Sequence, residues 1–177
     1  MLWRSGHPDR LDAAGWAELR TAGITTVIDL RNAAERTAVN DGPDGVRVLH
    51  LPLEQVDDPE YTSTWDNDWA TPDFYAWGRR RWPHLWTAVL QAVAEAPGGV
   101  LVHCAGGRDR TGMLTAVLLT AAGVERGAVL DDYVLGIRGS SRHDIDAHVD
   151  EYLTALDTML DELEPEPELR RAATRLL

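Results

Sequence analysis

The chain has 177 residues, 44% of them hydrophobic and 26% charged, which is enough for one domain with one core. Its formal net charge of -12 argues against non-specific nucleic-acid binding and against docking on anionic lipid. No apolar run approaches the ~20 residues that span a bilayer, and Met1-Leu2-Trp3-Arg4-Ser5-Gly6 lacks the apolar stretch of a secretory signal, so a cytoplasmic protein without stable membrane insertion is expected.

Taken in chain order, Asp12 to Ala22 reads as a short helix stopped by Gly23, and Ile24 to Leu30 as a buried β-branched strand. Asn40 to Gly45 is turn chemistry, and Val46 to Leu51 is a second strand. Glu54 to Thr71 is the least regular stretch. Thr71-Pro72 has the pattern of an N-cap followed by proline, and helical character then runs to about Ala96 with a break at Trp82-Pro83. Val100 to His103 is a third strand, apolar enough for a sheet centre. Helices are predicted from near Arg110 to Ala122 and from Glu125 to Leu135. Ser141 caps a long one with Ile145, Val149, Tyr152, Leu156, Met159 and Leu163 on its core face. Residues 155–177 form a C-terminal helical end. The alternation predicts an α/β fold, a single domain over 1–177 with a mainly parallel central sheet flanked by helices.

The single cysteine, Cys104, excludes an internal disulfide and makes a cysteine-based metal site unexpected. A lone cysteine is usually an inert core residue, so its neighbours decide. They are His103-Cys104-Ala105-Gly106-Gly107-Arg108-Asp109-Arg110-Thr111-Gly112, leaving a buried strand and entering a helix, where ligands of open α/β sheets bind. Five residues separate Cys104 from Arg110, room for the backbone to curl with its N–H groups inward. Gly106 and Gly107 remove side chains where the chain must bend around an anion. The following helix points its positive end at the same place, and such surroundings favour a thiolate. Ala105, Gly106, Gly107 and Arg108 are thus candidate phosphate contacts, with Arg110 as a planar two-donor clamp. Thr111 is placed to donate a hydroxyl to the sulfur, and His103 to support the loop. Together these residues supply an activated nucleophile and an oxyanion cradle, two of the three requirements for covalent phosphate-ester cleavage.

His-Cys-x5-Arg-Thr resembles the signature of the protein tyrosine phosphatase superfamily. The longer form resembles a bacterial group typified by mycobacterial protein tyrosine phosphatase B, which carries His-Cys-x-x-Gly-Lys-Asp-Arg-Thr-Gly. Trp3-Arg4-Ser5-Gly6, Val27-Ile28-Asp29-Leu30-Arg31 with Glu35, Gly123-Val124 and Asp132-Tyr133 are similar to further segments of that group. The resemblance implies a phosphatase α/β fold, no metal or other cofactor, and a phosphocysteine intermediate on Cys104. The implied substrate is phosphotyrosine, with phosphoserine/threonine or phosphoinositide as further possibilities for a phosphorylated partner. Arg108 stands where the group has lysine, either touching a second substrate anion or reflecting compositional drift, since all 17 Lys-plus-Arg positions here are arginine.

The third requirement, a proton donor for the leaving oxygen, is open between Asp109 and the loop after the second strand, where Asp58 and Asp57 stand ahead of Glu54. A carboxyl beside a dianionic phosphate either turns outward or holds a proton. No Trp-Pro-Asp loop exists, since His84 follows Trp82-Pro83. The aromatics Tyr61, Trp65, Trp69, Phe74, Tyr75, Trp77 and Trp82 form either a lid or a core edge. Arg79-Arg80-Arg81 reads as a solvated face rather than a substrate attractor. The alternative to a phosphatase is a catalytically inactive phospho-recognition module, against which the intact Cys104, Arg110 and Thr111 count.

Overall fold

The computed structural model describes residues 1–36, 42–65, 71–139, 148–164 and 166–176. Four parallel strands, β1 (Leu2–Ser5), β2 (Ile24–Asp29), β3 (Arg47–His50) and β4 (Gly99–His103), form a sheet in the order β1-β4-β2-β3. The helices are α1 (Ala13–Thr21), α2 (Pro59–Trp65), α3 (Pro72–Arg81), α4 (Pro83–Glu95), α5 (Asp109–Ala121), α6 (Arg126–Arg138), α7 (Val149–Asp161) and α8 (Pro167–Thr174). This is the α/β architecture with a parallel central sheet. The three apolar strands lie where the sequence places them. β1 and α2 were not anticipated, and the expected Ser141 cap, with Ile145 behind it, lies outside the described residues.

Alternation across the sheet explains the two cores. Val27 and Leu101 pair in register and point to one face, where Trp16 of α1, Ile24 and Val46 cover them. Ile28 and Val102 pair one residue on and point to the other face, into a larger cluster built from α4, α5, α6 and α8. Helix α5 is buried continuously from Arg110 to Leu118, so it is the central helix on that side. Its neighbours supply the surrounding apolar stripes, among them Val149, Leu156 and Met159 of α7.

The local signals are physical ones. Asp12 Oδ1 accepts the Gly15 N–H at 2.9 Å to start α1, and Gly23 at φ 81° ends it. Thr71 Oγ1 accepts the Phe74 N–H at 3.2 Å to start α3. Of the aromatic group, Phe74, Tyr75 and Trp82 are buried, and ring centroids such as Phe74–Tyr75 at 4.9 Å and Trp77–Trp82 at 5.0 Å interlock them edge to face. That arrangement supports the core-edge reading; Trp69 lies outside the described residues. The three arginines of α3 all face carboxylates, Arg79 on Glu166 at 3.2 Å, Arg80 on Glu162 at 3.7 Å and Arg81 on Asp58 at 2.9 Å.

Asp58 is a structural hub. Its Oδ1 accepts the Glu60 N–H at 2.9 Å at the start of α2, and its Oδ2 accepts Arg81 Nε and Trp82 Nε1, each at 2.9 Å. These donors, Arg81 first, hold the carboxyl down to about 2, below its ordinary 3.8. A depressed folded-state value gives stability that is complete above the unfolded value, about pH 4, and lost as pH falls through the folded one. Asp58→Asn should therefore lower the melting temperature at pH 7 and flatten its decline between about pH 4 and pH 2, as thermal melts across that range would show.

Candidate active site

The strand ends converge on one level. Ser5, His103 and Asp29 are aligned across β1, β4 and β2, and Asp29 pairs with His50 of β3. The connections leaving the four strands therefore emerge side by side, at the carboxyl edge where open parallel sheets bind ligands. The segment 104–108 leaves β4 at the centre of this edge and enters α5 at Asp109.

Framework contacts fix that segment from both sides. The His7 N–H donates to the Ala105 carbonyl at 3.1 Å, and the Leu30 N–H to the His103 carbonyl at 2.9 Å. Gly107 has φ 70°, and a Cβ there would meet the Ser5 carbonyl carbon and oxygen at 2.4 Å. Gly106 has open space instead. Gly107→Ala should thus cost about 1–2 kcal/mol for the left-handed backbone alone, with the overlap added to it, and should lower the melting temperature and any phosphate affinity. Gly106→Ala should leave the melting temperature near wild type.

His103 is buried and its Nδ1 lies 3.2 Å from the Cys104 carbonyl. A carbonyl only accepts, so Nδ1 carries the hydrogen. Burial pushes the imidazole below its ordinary value, leaving it neutral, with Asp29 acting in the opposite direction. Asp29 in turn holds Arg31 through Nε at 2.9 Å and Nη2 at 2.8 Å, and Arg31 reaches on to Asp9 at 2.8 Å. The Ile-Asp-Leu-Arg segment is a scaffold behind the loop.

Cys104 is 2% exposed. The N–H groups of Ala105, Gly106 and Gly107 donate to nothing among the described residues, and the first N–H groups of α5 are free of helical partners. An anion over the loop would satisfy both sets. Arg110 is buried, with Nη2 on Glu35 Oε1 at 2.7 Å and Nη1 on Glu35 Oε2. A second carboxylate, Glu54 Oε2, lies 3.6 Å from Nη1. Burial works against the guanidinium charge, but Glu35 and Glu54 outweigh it and push Arg110 further up. Thr111 Oγ1 is buried with no partner among the described residues, so its expected bond to sulfur is not formed, and the hydroxyl is uncommitted.

Asp109 opens α5, and its Oδ1 accepts Arg108 Nε at 2.7 Å. Arg108 is only 11% exposed in its side chain, turned against Asp109 rather than out into solvent. Burial lowers the Arg108 guanidinium, and the Asp109 carboxylate more than restores it. Asp57 is exposed, while Asp58 is held by α2 and α3 as described above. The sequence does not single out Glu54 as a partner of Arg110, nor Asn32 and Tyr75 as the donors that hold Glu54, and Glu35 enters only through the resemblance. Asn32-x-x-Glu35 has the spacing of a helix-start pair, and Glu35 does accept the Asn32 N–H at 2.8 Å. Among the described residues no group of three or more His, Cys, Asp or Glu side chains is placed to hold a metal ion.

Compared with known proteins, residues 1–176 match the tyrosine phosphatase family. The chain belongs to that family. It is 33% identical over 168 residues to the triple specificity protein phosphatase PtpB of Mycobacterium tuberculosis, covering 75% of this chain and 59% of that protein. It is 27% identical over 138 residues to a tyrosine-protein phosphatase of Nostoc commune, covering 75% of this chain and 47% of that protein. This tyrosine phosphatase family member thus spans between about half and three fifths of the length of those relatives. Among solved structures, P. aeruginosa TpbA superposes with a TM-score of 0.49 at 25% identity, covering 98% of this chain and 86% of that one. No described helix is long and apolar enough to cross a membrane.

Proposed function

We propose that the chain is a cysteine-dependent phosphomonoesterase acting on phosphotyrosine in protein substrates, within the cytoplasm. The observation that carries this reading is the Cys104–Arg110 loop itself, nucleophile, orphan backbone donors and a carboxylate-held guanidinium on one turn between β4 and α5. Family membership and the name of the Nostoc relative support tyrosine as the residue class. The PtpB relative is named for triple specificity, which supports testing phosphoserine, phosphothreonine and phosphoinositides beside it.

The chemistry follows from the groups present. The Cys104 thiolate attacks phosphorus in line with the ester oxygen. Glu35 occupies one hydrogen on each terminal nitrogen of Arg110, so the Nε–Nη2 edge remains to grip two phosphate oxygens. Backbone N–H groups at 105–107 take the charge that develops on the equatorial oxygens. The approach of the dianionic phosphate favours a proton on Asp109, and as the P–O bond breaks that proton passes to the departing oxygen, leaving the carboxylate. Asp109 Oδ1 is engaged by Arg108, and Oδ2 is the oxygen open to this task. Water then attacks the phosphocysteine, Asp109 takes back a proton, and thiolate and inorganic phosphate are released. The Thr111 hydroxyl is available to stabilise the sulfur as it leaves.

Turnover of p-nitrophenyl phosphate and a phosphotyrosyl peptide in the presence of EDTA tests the reading. Activity that survives chelation and is blocked by vanadate supports it. Binding without turnover would make the chain a phospho-recognition module instead.

A further inference from the structure

Glu54 is a buried carboxylate that the reaction above does not use. It lies in the connection after β3, five per cent exposed, and three donors converge on it. Asn32 Nδ2 donates to Oε2 at 2.6 Å, Tyr75 Oη donates to Oε1 at 3.1 Å, and Arg110 Nη1 lies 3.6 Å from Oε2. Tyr75 is itself buried, in the first turn of α3. Burial pushes the Glu54 carboxyl above its ordinary range, and Arg110, Asn32 and Tyr75, all around the phosphate clamp, oppose that shift by favouring the carboxylate.

From this geometry we infer that Glu54 is a positioning residue for the reaction, setting the guanidinium of Arg110 from within the core while Tyr75 and Asn32 fix Glu54 in turn. Glu35 alone leaves the clamp dependent on a carboxylate that is one-third exposed and carried on a short turn. Glu54 approaches the same Nη1 from a different connection and is almost wholly enclosed. With both carboxylates against Nη1, turning the planar guanidinium about its Cδ–Nε bond would break one contact or the other. The edge formed by Nε and the second Nη2 hydrogen then stays facing the loop. The buried Tyr75 hydroxyl senses the same assembly, since burial first and then Glu54, Asp109 and Cys104 push it up against the opposing effect of Arg110. Tyr75 thereby ties the fold of α3 to the clamp.

This rests on the phosphatase reading, and its test separates the two. Glu54→Gln keeps size and hydrogen bonding but removes the charge facing Arg110. Glu54→Asp restores the charge on a shorter arm, and Tyr75→Phe removes one support. Expected for Glu54→Gln is a fall of about 10- to 100-fold in kcat/KM, with tungstate affinity weakened in step and a melting temperature near wild type, because misplacing a reacting group by about 1 Å costs on the order of 100-fold. The loss should be equal for p-nitrophenyl phosphate and phosphotyrosine, since Glu54 acts through the clamp and not on the leaving oxygen. Glu54→Asp should recover part of it, and Tyr75→Phe should fall between. Unchanged kcat/KM and tungstate affinity in Glu54→Gln overturn the inference while leaving the phosphatase reading intact. A loss confined to phosphotyrosine also overturns it, by making Glu54 a proton donor. A loss that Glu54→Asp does not relieve and that follows a lowered melting temperature reduces Glu54 to a structural ion pair and overturns it as well. Should the wild type fail to turn over substrate, the phosphatase reading falls, and calorimetric tungstate binding by wild type and Glu54→Gln decides the role of Glu54 alone.

Discussion

Cys104→Ser should abolish turnover while leaving the phosphate site intact. The hydroxyl of serine is a far poorer nucleophile at neutral pH than a thiolate, and no hydrogen bond among the described residues joins His103 to position 104 as a base: its Nδ1 is directed at the Cys104 carbonyl. Loss of the nucleophile in covalent enzymes reaches about 10⁶ in kcat, and a drop on the order of 10⁴ or more is expected here. Binding should persist, because the donors at 105–107 and the Arg110 edge do not involve sulfur. The check pairs steady-state kinetics with calorimetric titration of a phosphotyrosyl peptide. Retention of even about a tenth of the activity would remove Cys104 from the mechanism, since covalent catalysis leaves no such residue of rate.

Asp109→Asn should lose roughly 10²–10⁴-fold on phosphotyrosine, the usual contribution of a positioned proton donor, and far less on a phosphate ester of a strongly acidic phenol. A good leaving group departs as the anion and needs no proton. Asparagine preserves the shape and keeps an oxygen for Arg108 Nε, so the Arg108 contact at 2.7 Å can survive the substitution. Asp58→Asn is the matched comparison. Its carboxylate is held by Arg81, Trp82 and the start of α2, which predicts lost stability and no dependence on the leaving group. If Asp58→Asn showed the selective loss and Asp109→Asn slowed both substrates alike, the proton would come from the β3–α2 connection and Asp109 would be structural.

The loop could be read from the sequence because its parts are contiguous: Cys104, the two glycines and Arg110 lie on one turn, and the motif carries its own geometry. The apolar strands were legible for the same reason, since β-branched runs such as Ile24 to Ile28 announce themselves. What surrounds Arg110 could not be read this way. Asn32 and Glu35 come from the β2–β3 connection, Glu54 from the connection after β3 and Tyr75 from the first turn of α3, and they meet where the parallel strands bring their carboxyl ends to one level. β1 is four residues long and includes an arginine and a serine, so periodicity had little to register, yet its end at Ser5 is the wall against which Gly107 packs. Asp58-Pro59 is different. It has the same cap-then-proline pattern as Thr71-Pro72, and its carboxylate accepts the Glu60 N–H at the start of α2. Nothing in a chain without lysine signals that Arg108 folds back onto its neighbour Asp109.

The most direct test of the account is to stop turnover of an aryl phosphate with acid within the first cycles and map the protein by mass spectrometry. The account predicts one phosphoryl group on the peptide containing Cys104, absent in Cys104→Ser, together with a burst of phenol that precedes the steady state. Turnover with no phosphoryl group on Cys104 under any quench time, or a phosphoryl group on another residue, would contradict it.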